Sequence, residues 1–386
     1  MTEAALALGL NPGLSVWISI GLLALGVTMV FGTLLSAVRT VILPRGTTSL
    51  LNRIVFRGVY ILFTTVARKR RTYEDRDRVM AQFGPVSLVL LGMVWLAAVA
   101  TGYSFVFWAT GADSFGSGAV FSGSSITTLG SSPPLSGLHQ ALSYSEATLG
   151  LFLGALMITY LPTLYSVFSR REVQVATLEV RAGNPPSAGE FLIRYHNLGW
   201  LDRLDEVFLE WERWFAELEE SHTSYPALTF FRSPEANRSW VTAAGTVLDA
   251  AALTRACVDI TYPKGVAAVC IRSGYLALQR LADFFGLRYE PNPLPTDRIA
   301  ISRSEFNDVW DAMRAVDVPL VADQDRAWTD YVGWRVNYES LVLDFAEITM
   351  APYAPWTSDR SSLTRELPKV TRFGAPTVES IPARRR

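Results

Sequence analysis

Thr127, Thr128, Leu129, Gly130 and Ser131 are the residues whose types and spacing promise chemistry, and that chemistry is the handling of a cation. They close an uncharged stretch from Ser114 to Pro134 made largely of serine, threonine and glycine, with aromatics at Phe115 and Phe121. The Thr127-Thr128-Leu129-Gly130 end gives the backbone a place to turn its carbonyls towards an axis, which is how cation pores replace an ion's hydration shell. The stretch is too polar and too short to cross a bilayer and too apolar for an ordinary wet loop. It fits a segment that dips into the membrane and returns, shielded from lipid by protein. An external linker of small residues is the plainer alternative.

Two acids flank the stretch. Asp113 and Glu146 are expected at an outer mouth, where carboxylates raise the local cation concentration; a solvated loop acid is the other reading of Asp113. Glu146 lies one turn into an apolar segment, at a depth that demands a partner or water. Further along that segment Gly150, Gly154 and Pro162 mark a flexing point, or else close helix packing through small residues. Thr159 and Thr163 are placed to line a cavity on one face.

Other chemistries find no support. His139, His196 and His222 share no ligand spacing, so no metal site is expected beyond the permeating cation. The two cysteines, Cys257 and Cys270, read as reduced core thiols. With no phosphate loop, nucleophile elbow or paired carboxylates, neither enzyme activity nor a cofactor is expected. No nucleic-acid partner is expected either. The stretch Ser221 to Pro226, continuing through Phe230 to Pro234, suits a ligand or inter-subunit loop, or a packed connector.

The elements that must position these residues follow from where charge is missing. Between Ala4 and Val38, Val79 and Ala112, and Ala147 and Ser169 there is no charged residue. Each run exceeds the roughly 20 residues that cross a bilayer as helix. A mainly α membrane protein is expected, with three transmembrane helices. Residues 1–13 form an external N-terminus and 14–38 the first span. A basic segment, 39–84, lies in the cytoplasm or in the interface, with 47–67 as an amphipathic helix or a fourth span. Residues 85–171 hold helix, pore loop 114–134 and helix, and Tyr103, Phe105, Phe107 and Trp108 form an interfacial belt. A linker over 172–186 precedes an all-α cytoplasmic domain over 187–350, and a basic tail over 351–386 is expected to be disordered. Arginines at 39, 45, 170 and 171 put those flanks in the cytoplasm of a multi-pass cell-membrane protein. In the soluble part, Leu201, Leu204, Phe208, Trp211, Phe215 and Leu218 recur at helical steps and mark one amphipathic helix, and helices are expected at about 240–260, 265–285, 302–316 and 322–349.

The order of span, loop and span, with Thr127-Thr128-Leu129-Gly130 closing the loop, resembles the pore module of two-transmembrane potassium channels. The resemblance covers about Val86 to Arg171. It implies a short pore helix at Ser114 to Ser125, with Thr128, Leu129 and Gly130 at the Thr-Val-Gly positions of a filter. It also implies passive cation conduction through a homotetramer, set in membrane lipid and gated by the cytoplasmic domain. Ser131 and Ser132 replace the Tyr-Gly that should follow, which removes a bracing aromatic and a glycine suited to positive φ. A non-conducting receptor or scaffold with a degenerate filter is the alternative.

Overall fold

The computed structural model describes residues 10–42, 49–260 and 264–360. Among the described residues 74% are helical and there is no β-strand, only an isolated bridge between Val258 and Leu320. Four helical segments are long and apolar enough to cross a membrane: Val16–Val41, Leu50–Arg68, Tyr73–Ala109 and Gly137–Ala182. Leu50–Arg68 therefore meets that standard alongside the three expected spans. The chain divides into two compact units, Met1–Val59 with Pro85–Leu164, and Tyr60–Gly84 with Tyr165–Arg386.

In the first unit the helices are inside-out by the standards of a soluble protein. Helix α1 (Val16–Val41) starts where the Ser15 hydroxyl accepts the Ile18 N–H, and its buried residues are Ser19, Gly26, Thr33, Ser36 and Ala37. Its large apolar side chains point away from the protein, Trp17 at 81% and Phe31 at 68% exposure. Lipid tails are as apolar as leucine, so helices in a membrane associate through small residues that let backbones approach. At the crossing of α1 with α4 (Phe83–Ala109), a Cβ on Gly26 would stand 2.4 Å from the Gly102 carbonyl oxygen. Polar glue supplements the contact: Trp95 Nε1 donates to Ser36 Oγ at 3.2 Å, and the Ser36 and Ser49 hydroxyls pair at 2.5 Å. Asn11, in the Asn-Pro-Gly breaker before α1, donates to the carbonyls of Trp108 (2.9 Å) and Ala112 (2.8 Å). Residues 1–9 of the expected external N-terminus lie outside the described residues. The expected aromatic belt is divided, because Tyr103 and Phe107 are buried in protein.

Helix α2 (Leu50–Arg68) and the short α3 (Tyr73–Ala81) carry the basic segment. Helix α5 (Phe115–Ile126) lies between α4 and α6 in the chain. Helix α6 (Gly137–Ala182) runs 46 residues with Pro162 inside it, about 70 Å at 1.5 Å per residue. It passes through Arg170-Arg171 without a break, so most of the expected 172–186 linker is helix.

The second unit adds α7 (Ala188–Asn197), α8 (Leu204–Ser224), α9 (Trp240–Cys257), α10 (Lys264–Phe285), α11 (Arg303–Ala315), α12 (Gln324–Arg335) and α13 (Glu339–Ile348). Helix α9 is buried on every face, as an all-round apolar helix must be. Gly274 of α10 lets that helix close on it, since a Cβ there would meet Leu248 Cδ2 at 2.5 Å and Phe215 at 3.1 Å. The tryptophans expected as core are buried at 211, 214, 240 and 310 and half-buried at 328 and 334. Cys257 and Cys270 are free and buried, and burial pushes both thiols up.

Two expectations need correction here. The helix expected over 322–349 is two helices, because Arg335, Tyr338 and Glu339 turn inward at the break. Arg335 donates to Asp249 and to Glu339 (2.7 Å), and the Tyr338 hydroxyl donates to Asp249 at 2.7 Å. The tail expected to be disordered from 351 is packed as far as Arg360. Ala354 and Thr357 are fully buried, the Trp356 carbonyl accepts from Arg335, and Arg360 pairs with Glu305 at 2.6 Å. Residues 361–386 of that tail lie outside the described residues.

Candidate functional site

The end of α5 is built by a few hydroxyls and two close contacts. Ser114 caps the helix by accepting the Ser117 N–H at 3.2 Å. Gly118 brings α5 against α4, where a Cβ would stand 2.5 Å from the Ser104 carbonyl oxygen. At the other end Gly150 of α6 faces the Ile126 carbonyl, 2.7 Å from where its Cβ would be. The short helix is thus held at both ends by backbone contacts that only glycine permits.

After Ile126 the chain turns through a Schellman-type cap. Thr128 N–H donates to the Ser125 carbonyl at 2.9 Å, and Leu129 N–H to the Ser124 carbonyl at 3.0 Å. Gly130 N–H also reaches Ser124, at 3.2 Å. That pattern needs a left-handed residue in the position after the cap, normally glycine. Here it is Thr128, at φ 56°, with Gly130 following at φ 65°. A β-branched residue in this region is a genuine outlier. Among the described residues no backbone N–H bonds to the carbonyls of Thr127, Thr128, Leu129 or Gly130, and all four residues are exposed, Leu129 at 72%. Ser131 Oγ lies 3.3 Å from Ser124 Oγ, which also accepts the Ser132 N–H at 3.1 Å. Replacing Thr128 by glycine is expected to stabilise the fold by about 1 kcal/mol, the left-handed penalty less the added freedom of the unfolded chain. A thermal melt of the full chain in detergent reads it, and an unchanged or lowered Tm rejects the strained cap.

The flanking acids part company. Asp113 is exposed, whereas Glu146 is fully buried within its own chain. Ser122 Oγ lies 2.5 Å from Glu146 Oε1 and 2.8 Å from the Ala100 carbonyl oxygen, while Glu146 Oε2 is buried without a partner. His139, also buried, sits edge-on to Phe107 and Phe121 and pairs with the Thr110 hydroxyl at 3.1 Å. Gly154 faces open space within its own chain, unlike Gly150. Pro162 leaves the Ile158 carbonyl without its helical N–H. The Thr159 and Thr163 hydroxyls bond back to the carbonyls of Ala155 (3.1 Å) and Thr159 (3.0 Å).

The chain matches no family model, no curated protein and no solved structure.

In the second unit the polar and aromatic stretch from Ser221 to Pro234 is a clamped connector. Arg171, buried near the end of α6, donates to the carbonyls of Leu228 and Phe231, both at 2.7 Å, and pairs with Glu172. Arg232 donates to the Tyr73 hydroxyl (3.1 Å), to Asp77 and to the Met350 carbonyl (3.0 Å). Phe230 packs on Tyr60, Phe83 and Phe285 with centroids 5.2–5.6 Å apart. Tyr60 of α2, Tyr73 and Asp77 of α3, Phe83 of α4 and Arg171 of α6 therefore meet one short segment. Sequence pattern shows none of this, because each contact joins residues far apart in the chain.

His222 completes the clamp. Its Nε2 lies 3.0 Å from Arg171 Nη1, which only donates, so the ring is neutral with its proton on Nδ1, 3.0 Å from the Ser221 hydroxyl. Burial, then the Arg171 charge, hold His222 well below the usual imidazole range. Its stability contribution is therefore present above about pH 6.5 and lost as pH falls below it, by about 1.4 kcal/mol per unit. Asp344, whose carboxyl burial pushes up to about 7, slopes the other way across this window. The measurement is accordingly a difference: the wild-type melt minus that of His222→Gln is expected to shrink from pH 6.5 downward. A pH-independent difference refutes the neutral clamp.

Proposed function

We propose that this chain is one subunit of a passive cation channel, in which four copies bring their Thr127–Ser131 turns to a shared axis. On this reading α5 is a re-entrant pore helix, and α4 and α6 are the spans on either side. The helical domain after α6 is cytoplasmic and gates the pore. One observation carries the proposal: a β-branched residue, Thr128, is held left-handed at the end of a short, uncharged helix, beside carbonyls that no backbone N–H among the described residues uses. Strain of this kind persists where the surroundings over-determine it and clusters at functional sites. The exposed Val120 and Leu129 also suit contact with neighbouring copies. Potassium is the expected ion by the resemblance, although Ser131 and Ser132 weaken the case for strict selectivity.

A second reading has its own support. The Schellman closure spends the N–H groups of Thr128, Leu129 and Gly130 on α5, giving a compact turn and not an extended ladder of carbonyls. That favours a non-conducting receptor or scaffold which kept the architecture of a pore. Purified protein in liposomes separates the two. Cation flux that disappears on Thr128→Ala or Gly130→Ala supports the channel, and the potassium-to-sodium permeability ratio gives its selectivity. A folded tetramer without flux under any ionic condition supports the scaffold.

A further inference from the structure

Where α2 ends and α3 begins, a cleft of about 470 Å³ combines two surfaces that rarely meet. One wall is apolar: Leu62, Phe63 and Val66 from the last turns of α2, with Leu62 60% and Val66 36% exposed. The other is basic, with Arg70 and Arg78 on either side of the turn. Among the described residues the exposed Arg70 side chain has no hydrogen-bond or ion-pair partner, although its carbonyl is fixed by Arg76 Nε at 3.0 Å. Arg78 is 76% exposed and holds Asp75, also on the cleft, only loosely at 3.4 Å. Two guanidinium groups against one carboxylate leave the cleft net positive, and Arg68, Lys69 and Arg71 lie beside it in the chain.

We propose that this cleft binds one anionic phospholipid of the leaflet facing the basic segment. Its acyl chains lie along Leu62, Phe63 and Val66, and its phosphate is held between Arg70 and Arg78. A soluble anion would use the arginines but gain nothing from the apolar wall, and a zwitterionic lipid would use the wall but carry no net charge. Only an anionic amphiphile satisfies both. Guanidinium groups suit the phosphate by geometry, presenting paired N–H donors to its oxygens. The cleft also adjoins the end of a helix long and apolar enough to cross a membrane, where basic residues meet the headgroup layer. The proposal rests on that membrane character and not on conduction, so lipid binding and ion flux stand or fall separately.

Titrating the detergent-solubilised full chain with phosphatidylglycerol or phosphatidylcholine, and counting bound lipid by native mass spectrometry, tests it. One phosphatidylglycerol is expected to bind in preference to phosphatidylcholine. The Arg70→Ala/Arg78→Ala variant is expected to weaken that binding roughly thirtyfold, at about fivefold per arginine. Both side chains are exposed, so their loss leaves the fold intact. Lys69→Ala/Arg71→Ala removes the same charge outside the cleft and is expected to cost far less. Equal binding of phosphatidylcholine, an equal loss in the control variant, or displacement of the lipid by inorganic phosphate overturns the assignment.

Discussion

Arg335→Ala is expected to cost about 3–5 kcal/mol, the penalty for leaving buried charges without their partner. Asp249 and Glu339 are both buried, and the guanidinium that bonds them also holds the Trp356 carbonyl. Tyr338 and Tyr331 reach the same Asp249 oxygen at 2.7 and 3.3 Å, so the loss exposes a network and not a single pair. At about 2–4 °C per kcal/mol for a domain of this size, Tm should fall by roughly 10 °C. Adding Asp249→Leu and Glu339→Gln to the alanine variant should recover part of the loss, because the stranded charges are then gone. The melt is followed by near-ultraviolet circular dichroism of the full chain. An unchanged Tm in Arg335→Ala rejects the cluster as the lock between α9, α12 and the 351–360 segment.

Gly150→Ala and Gly154→Ala should have opposite consequences, although the two residues sit one turn apart on α6. A Cβ at 150 meets the Ile126 backbone oxygen at 2.7 Å and its side chain at 3.0 Å, so the end of α5 must shift. Overpacking of this kind costs about 1–3 kcal/mol, and the shift falls on the residue before the Thr127 turn. Flux, if the channel reading holds, should drop with it. A Cβ at 154 meets nothing within 4 Å in its own chain, and alanine there should raise helix stability by up to about 1 kcal/mol. Thermal melts and liposome flux on both variants decide between packing and flexing. Matching effects at the two positions would remove the packing account of Gly150.

Much of the helical layout was legible because charge and periodicity are local signals. The charge-free runs around α1, α4 and α6 needed no knowledge of contacts, and α5 began at the Ser114 that composition picked out. Boundaries shifted by a few residues, as cap chemistry dictates. What stayed hidden depends on partners distant in sequence. Ser122 lies 24 residues from Glu146, so burial of that acid could not be foreseen from either neighbourhood. The break before Glu339 answers to Asp249, nearly 90 residues earlier. The packed 351–360 segment looked like part of a tail because proline, serine, threonine and arginine dominate the whole stretch after Met350. Its anchor is Thr357, which lies so near α9 that a Cβ on Gly245 would stand 2.7 Å from its Oγ1. Ser124, whose carbonyl and hydroxyl both hold the turn, looked like one small residue among many.

The uninterrupted course of α6 has a consequence for how the chain tolerates change. With no break between Tyr165 and Ala182, adding or deleting one residue between Arg171 and Glu179 rotates one by about 100° against the other. Arg171 could then keep the Leu228 and Phe231 carbonyls only if Glu179 gave up its pair with Arg238. Angular phase along this rod, more than the identity of most side chains on it, is what insertions would violate.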